Sequence, residues 1–278
     1  MTLARVAARA TGVLALAASL ACAQPLDVPT PYVPSTRLNV DEMLRLADVR
    51  PDDVVYDLGS GDGRVVIAAA RDYGARGVGI ELDAKLVAAS ADNAQRAGVG
   101  ERTTFRQADV LTAPVKEASV VTVYLLPPLV RALQDRLYAA LEPGARIVAH
   151  EYPFPDWPAD RHIVISKNFY LYIVPARVAG TWVFATRTET KVSTHDLALK
   201  QRYQQVQGAV RVPGGILPAF EPKLSGNRIS FVLVDDDVSY RYEGIVRGDR
   251  MEGTVHWGYG PRQKAGHWTA TRVTGEGA

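Results

Sequence analysis

The sequence predicts an α/β protein: a mostly parallel seven-strand sheet whose last strand runs antiparallel, followed by a C-terminal antiparallel β meander or small barrel. Three observations predict it. The runs VVYD, VGIE and VVTVYLL are almost wholly apolar and alternate with helical stretches, as strands covered on both faces should. Two further strands then follow each other with no helix between. After Arg177 the chain turns to short segments of period two divided by turn residues, the pattern of an antiparallel meander.

Taken in order, the chain opens MTLARVAARATGVLALAASLACAQP. Arg5 and Arg9 precede an apolar run that ends in Ala21-Cys22-Ala23, the layout of a secretory leader with a small-residue cleavage site. The run is shorter than the roughly 20 residues a membrane-spanning helix needs, so no transmembrane helix is expected. Cleavage after Ala23 and a periplasmic protein are the leading expectation. The alternatives are a lipoprotein anchored through Cys22 and a misassigned start in a cytoplasmic protein. Cys22 is the only cysteine, so a cleaved chain has no disulfide and no thiolate metal site. The five histidines show no metal-ligand spacing, and no metal is expected.

Residues 24–38 form a proline-rich arm with Pro25, Pro29, Pro31 and Pro34, a spacing that forbids a helix. Asn39 reads as the N-cap of a helix carrying Met43, Leu44, Leu46 and Ala47. Strands follow at 54–57, 77–82, 103–108, 119–125 and 145–149, with helices at 64–73, 84–97 and 129–141. Segments 162–166 and 169–174 read as a hairpin added to that sheet. The α/β domain is placed at 39–178 and a β-rich domain at 179–278. There, Asp235-Asp236-Asp237 reads as a hairpin turn, and Trp182, Trp257 and Trp268 are candidates for its core or for an apolar ligand site.

Removing residues 1–23 leaves 30 basic and 30 acidic residues. Such a neutral chain carries no electrostatic footprint for nucleic acid.

The chemistry concentrates at Asp57-Leu58-Gly59-Ser60-Gly61-Asp62-Gly63, where the first strand turns into a helix. Ligands of open parallel sheets bind beyond the carboxyl ends of the strands. The third glycine comes one residue too early for the dinucleotide fingerprint, and the stretch lacks the P-loop lysine. Asp57 beside the glycines suits a ligand that is cationic at that point. Glu81 ends the second strand, where a carboxylate can accept both hydroxyls of a ribose. Asp109 follows the third strand, where one can accept from an adenine amine. Taken singly, these acids read as well as a helix cap, a surface charge and a turn cap. Together they suit an adenosine without phosphates that carries an amino acid.

On these residues the chain resembles the class I, seven-strand, Rossmann-like methyltransferases that use S-adenosyl-L-methionine (SAM). YDLGSGDGRVVIAAA followed by GVGIEL resembles, within that class, the small protein-lysine methyltransferases of the mitochondrial ATP-synthase and adenine nucleotide translocase type. The resemblance spans roughly residues 32–174. It implies SAM as cofactor, held by Asp57, Gly59, Ser60, Gly61, Gly63, Glu81, Asp109 and Tyr124. It also implies that PYVPS lies over SAM, with Tyr32 and Pro34 as contacts.

The acceptor site in such folds follows the fourth strand. Here that stretch is Tyr124-Leu125-Leu126-Pro127-Pro128. An Asn or Asp before the two prolines, and an aromatic after them, would mark a planar-amine acceptor. Leu126 and Leu129 stand there instead, which disfavours base or glutamine methylation and leaves an apolar mouth with Tyr124 as its polar member. Read as structure, Leu125 and Leu126 are core and the prolines begin a helix. His150 and Glu151, at the end of the fifth strand, are candidates with Tyr124 to accept a proton from an amine or orient it. The favoured acceptor is a protein lysine. A small-molecule O- or N-methyltransferase, and an exported SAM or nucleoside sensor without turnover, are the alternatives.

Overall fold

The structure is a computed structural model that describes residues 32–273 apart from positions 190 and 259. The expected leader, Cys22 and the first part of the proline-rich arm (24–31) lie outside the described residues. No helix among the described residues is long and apolar enough to cross a membrane.

Helix α1 spans Arg37–Leu46. Its cap is Thr36, not Asn39: the Thr36 hydroxyl accepts the Asn39 N–H at 3.3 Å, satisfying a donor that the helix itself leaves free. Asn39 sits a turn inside, where its side-chain oxygen accepts from the Ser166 hydroxyl at 2.9 Å.

Strand β1 (Val54–Leu58) leads into α2 (Arg64–Tyr73), β2 (Arg76–Glu81), α3 (Ala84–Arg96) and β3 (Thr103–Gln107). Strand β4 (Val120–Val123), α4 (Pro127–Ala140) and β5 (Arg146–His150) follow. Strands β6 (Arg161–Val164) and β7 (Asn168–Ile173) complete a seven-stranded sheet of order β3-β2-β1-β4-β5-β7-β6. Its first five strands pair in parallel, and β7 lies antiparallel between β5 and β6.

All five β1 residues are buried because side chains alternate between two covered faces. Val55 packs with Met43 and Leu44 of α1 and Ala69 of α2. Tyr56 and Leu58 pack on the opposite face with Val130, Leu133 and Leu137 of α4. The strand order reverses between β1 and β4, so the ends of β1, β2 and β4 open on one crevice.

The C-terminal strands are β8 (Gly180–Arg187), β9 (Val192–Arg202), β10 (Gln205–Val212), β11 (Gly215–Pro218) and β12 (Phe220–Ser225). Strands β13 (Arg228–Asp235), β14 (Val238–Arg247), β15 (Arg250–Trp257) and β16 (Lys264–Arg272) complete an antiparallel sheet. Each pairs with the next except β11 with β12, and β16 returns to pair with β8. The two edges, β11 and β12, are consecutive pieces of one chain run joined at Ala219. The first half pairs with β10 and the second with β13, so the sheet closes into a barrel through one shared, bent strand. Glu221 at φ +46° and a register shift between Phe220 and Lys223 mark the bend, the usual effect of a bulge.

Trp182, Phe184, Phe231, Tyr242 and Trp268 pack against one another inside the barrel. All five are buried, and burying a large apolar side chain is worth about 1.5–3 kcal/mol, so this aromatic cluster forms the barrel's core. Trp257 stays at the margin, against Tyr240. Asp235 and its two neighbours turn β13 into β14, with Asp236 at φ +50°.

Candidate functional site

The cleft is built first by the turn after β1. The Gly59 and Ser60 N–H groups both donate to the Ile80 carbonyl, at 2.9 and 3.0 Å. This ties the turn to β2. Gly59, Gly61 and Gly63 all take positive φ, at +82°, +54° and +81°. At Gly59 a Cβ would also stand 2.8 Å from a Leu125 methyl, so only glycine lets the turn come so near the end of β4.

The three strand-end acids converge here. Asp57, Glu81 and Asp109 all line one cleft of about 1230 Å³, above the roughly 300–1,000 Å³ usual for a ligand pocket. It has room for a cofactor and an acceptor side chain together. Asp57 is 7% exposed and accepts from the Thr122 hydroxyl at 2.6 Å. Burial pushes its carboxyl up to about 7, since desolvation penalises the anion. Glu81 is held rigidly: its carboxylate accepts the N–H groups of Gly61, Leu82 and Asp83 at 2.9, 2.8 and 3.0 Å. Asp109 uses one oxygen to cap its own turn, from Leu111 N–H at 2.8 Å. The turn-cap and cleft placements therefore coincide in one residue.

Ser60 also lines the cleft. Its hydroxyl is buried without a partner among the described residues, an arrangement that costs stability unless a ligand completes it. Gly63 is not a lining residue. It caps α2, and a Cβ there would meet the Phe105 ring and Ser90.

The arm meets the same turn. Tyr32 and Pro34 line the cleft, and Arg64 fastens the arm through a donated hydrogen bond to the Ser35 carbonyl at 2.5 Å. Arg64 is itself gripped by Asp62 through two parallel bonds of 2.8 and 2.6 Å. That fork holds the Asp62 carboxyl below its ordinary range. It also offsets the misfit of a cation in the first turn of α2. The phenol of Tyr32 is pushed up, first by burial and then by Asp62.

Tyr124, Leu126, Leu129 and Tyr152 form the far side of the cleft. Leu125 is both core and lining: it is 7% exposed and faces the glycine turn. Pro127 and Pro128 occupy the first turn of α4. His150 does not line the cleft. It lies behind Tyr124, its ring 4.0 Å from that ring and stacked at 4.9 Å on Phe169. It is 1% exposed, neither ring nitrogen has a partner among the described residues, and burial pushes it down to about 4. Glu151 is also outside the lining. Its carboxylate accepts from Lys167 and from the Asn168 N–H, at 3.3 and 3.2 Å, and so closes the β6–β7 turn.

Sequence reasoning missed Asp62, Arg64 and Tyr152. The first two stand inside the glycine turn, where an acid two residues before a helix-initial arginine signals a fork. Tyr152 carries no such signal, because nothing local says which side of the loop faces inward.

The residues present fit SAM. A buried carboxylate with one protein partner, a rigid carboxylate at β2, an unpartnered serine and a close-approach turn suit a cationic amino acid joined to a ribose. Among the described residues, acids outnumber arginine around the cleft, which favours a cation and opposes a phosphate.

Comparisons with known proteins agree. A family model described as the ANTKMT methyltransferase domain matches residues 57–161. A protein-lysine N-methyltransferase of Saccharolobus islandicus (strain REY15A) is 35% identical over 150 residues, which is 52% of this chain and 93% of that protein. A Xenopus laevis lysine N-methyltransferase, named for an ATP synthase subunit, is 37% identical over 159 residues, 54% of this chain and 70% of that protein. A solved RNA methyltransferase from Salinibacter ruber, in complex with S-adenosyl-L-homocysteine, is 46% identical with a TM-score of 0.52. That match covers 52% of this chain and 96% of the other.

Proposed function

The chain belongs to the protein-lysine N-methyltransferase family of these relatives, and from that membership we propose that it moves a methyl group from SAM to the side-chain amine of a protein lysine. It is a SAM-dependent methyltransferase, an enzyme rather than a sensor. The observation that carries the acceptor reading is the apolar far side of the cleft, Leu126 and Leu129 with Tyr124 and Tyr152.

SAM supplies an activated methyl on a sulfonium. The protein's own part is positioning, which can supply much of the acceleration of a displacement. Asp57 would take the cationic amino-acid end, Glu81 the ribose and Asp109 the adenine amine. Tyr32 and Pro34 would cover the cofactor, and Ser60 would offer it its hydroxyl. A lysine must arrive neutral. The leucines desolvate its ammonium and lower its pKa, while Tyr124 and Tyr152 offer it hydroxyls. His150 braces Tyr124 from behind, and Glu151 holds the neighbouring turn; both act at one remove from the amine.

The Salinibacter structure favours a second reading, an RNA acceptor. Against it stand the acid-rich cleft, a formal net charge of only +2 and the absence of a planar-amine signature after β4. A small-molecule acceptor would use the same cofactor residues. Methyl-labelled SAM offered with the protein to a cell extract separates the three. Label that survives ribonuclease and vanishes with protease supports the lysine reading; label in RNA or only in small molecules refutes it.

We also propose that the chain is exported, from Arg5, Arg9 and the Ala21-Cys22-Ala23 site. N-terminal sequencing of the native protein should begin at Gln24. A start at or near Met1 in the cytosol would remove that reading.

A further inference from the structure

Two walls of the cleft continue past it. One is the start of α4: Leu126 and Leu129 face the cleft, while Pro127, Pro128, Arg131 and Ala132 face a second groove of about 470 Å³. The other is the segment after β5, where Tyr152 faces the cleft and Pro153 and Pro155 face the groove. Cleft and groove are thus consecutive stretches of the same pair of walls. Proline has a fixed φ and loses almost no side-chain entropy when covered. A groove lined by four of them is a stiff apolar channel that is ready before anything binds.

The second wall is held from the barrel. Tyr203 stands at the tip of the β9–β10 hairpin at φ +53° and is 9% exposed. Its ring stacks on Trp157, with centroids 5.1 Å apart and planes 5° from parallel. Its hydroxyl accepts from Gln134 Nε2 at 2.7 Å and donates to Asp135 Oδ1 at 2.8 Å. Gln134 Oε1 in turn accepts the Asp156 N–H at 2.9 Å. From the sheet side, the Tyr172 hydroxyl accepts the Phe154 N–H at 2.9 Å. Gln204 adds a bond from its side chain to the Pro158 carbonyl at 2.6 Å. The segment carrying Pro153 and Pro155 is therefore pinned on both sides, and one side is supplied by the barrel.

We propose that this groove holds the polypeptide chain of the acceptor beside its target lysine, and that the barrel, through Tyr203, keeps the groove's loop wall in place. This rests on the protein-lysine reading above. A lysine that reaches the cleft from a protein brings its backbone to the cleft's rim, and the groove is the apolar surface that continues that rim. Arg131, the one charge on the lining among the described residues, favours an acidic residue in the acceptor near that lysine. A single arginine among prolines is a poor match to the repeated charge of an RNA backbone.

The test uses the full chain, methyl-labelled SAM and a dilution series of cell extract as the acceptor source. Ala132→Trp, on the exposed face of α4, fills the groove without touching the core. It should raise the extract concentration that gives half-maximal protein labelling at least tenfold, with SAM affinity changed less than twofold. Tyr203→Ala should do the same and should speed amide exchange at Phe154 and Asp156; Tyr203→Phe, which keeps the ring stack, should fall between. Unchanged half-saturation in Ala132→Trp, with protein still labelled, overturns the groove alone. Equal loss of SAM affinity in both variants overturns it as well, by making the effect structural. A wild-type protein that labels RNA and no protein overturns the lysine reading, and the groove with it.

Discussion

The Tyr32 ring lies so close over Gly61 that a Cβ at that glycine would stand 2.5 Å from the ring's Cε2. The arm and the glycine turn are thus one surface, and Arg64 locks them together by holding Asp62 and the Ser35 carbonyl at once. Gly61→Ala would both strain a backbone at φ +54° and push the arm away. Left-handed backbone costs a non-glycine residue about 1–2 kcal/mol, so SAM affinity should fall by about tenfold or more. Calorimetric titration checks this. Tyr32→Ala should weaken SAM without shifting the melting temperature, because Tyr32 is half exposed.

Asp57 makes a pH prediction with a definite sign. Its folded-state carboxyl lies at about 7, above the ordinary 3.8, so the cofactor-free fold binds more protons than the unfolded chain between those values. This group's stabilising contribution is therefore full below about pH 4 and is lost as pH rises to about 7. The loss is on the order of 1.4 kcal/mol per pH unit, roughly 4 kcal/mol at most. Asp57→Asn should melt higher than the parent at pH 8, with the gap closing toward pH 4. A cationic ligand prefers the anion, so wild-type SAM affinity should weaken below pH 7 and Asp57→Asn should bind poorly throughout.

His150 offers a sharp choice between two roles. A neutral ring with neither nitrogen partnered among the described residues, pressed between Tyr124 and Phe169, behaves as packing. His150→Phe should keep most activity and the same rate profile between pH 6 and 9. His150→Ala should lose about tenfold by freeing Tyr124. Equal collapse of both variants would make His150 a proton acceptor instead.

Glu81 is set by three backbone donors, so its effect on the cofactor should be large and specific. Removing a charged hydrogen-bond acceptor costs about 1.5–3 kcal/mol. Glu81→Ala should therefore raise the dissociation constant for SAM by at least tenfold, with Glu81→Gln between. Equilibrium binding with SAM and with adenosine shows whether the loss follows the ribose.

Much of the α/β half can be read from local pattern, because its strands are buried on both faces and its helices carry clear stops such as Gly74 and Gly98. The three strand-end acids were legible because the order of elements alone puts their positions at one sheet edge. Thr36 replaced Asn39 as the helix cap, since two good capping residues stand three apart and only tertiary contact to Ser166 decides between them. The C-terminal half was legible as a meander or small barrel, with nothing local to decide between the two. Closure depends on the bend at Ala219 and Glu221, which no spacing announces. His150 and Glu151 sit at the active edge in sequence, yet a one-residue alternation turns the first into the core. Glu151 at φ +68° turns toward Lys167. Tyr203 is invisible from sequence because it serves a loop wall some fifty residues away in the chain.

The most direct test of the central claim is mass spectrometry of protein labelled by the purified enzyme and methyl-labelled SAM in a cell extract. Methyl-lysine should appear at a defined site and be absent with Glu81→Ala at limiting SAM. Methylated nucleosides or small molecules with no methyl-lysine would contradict it.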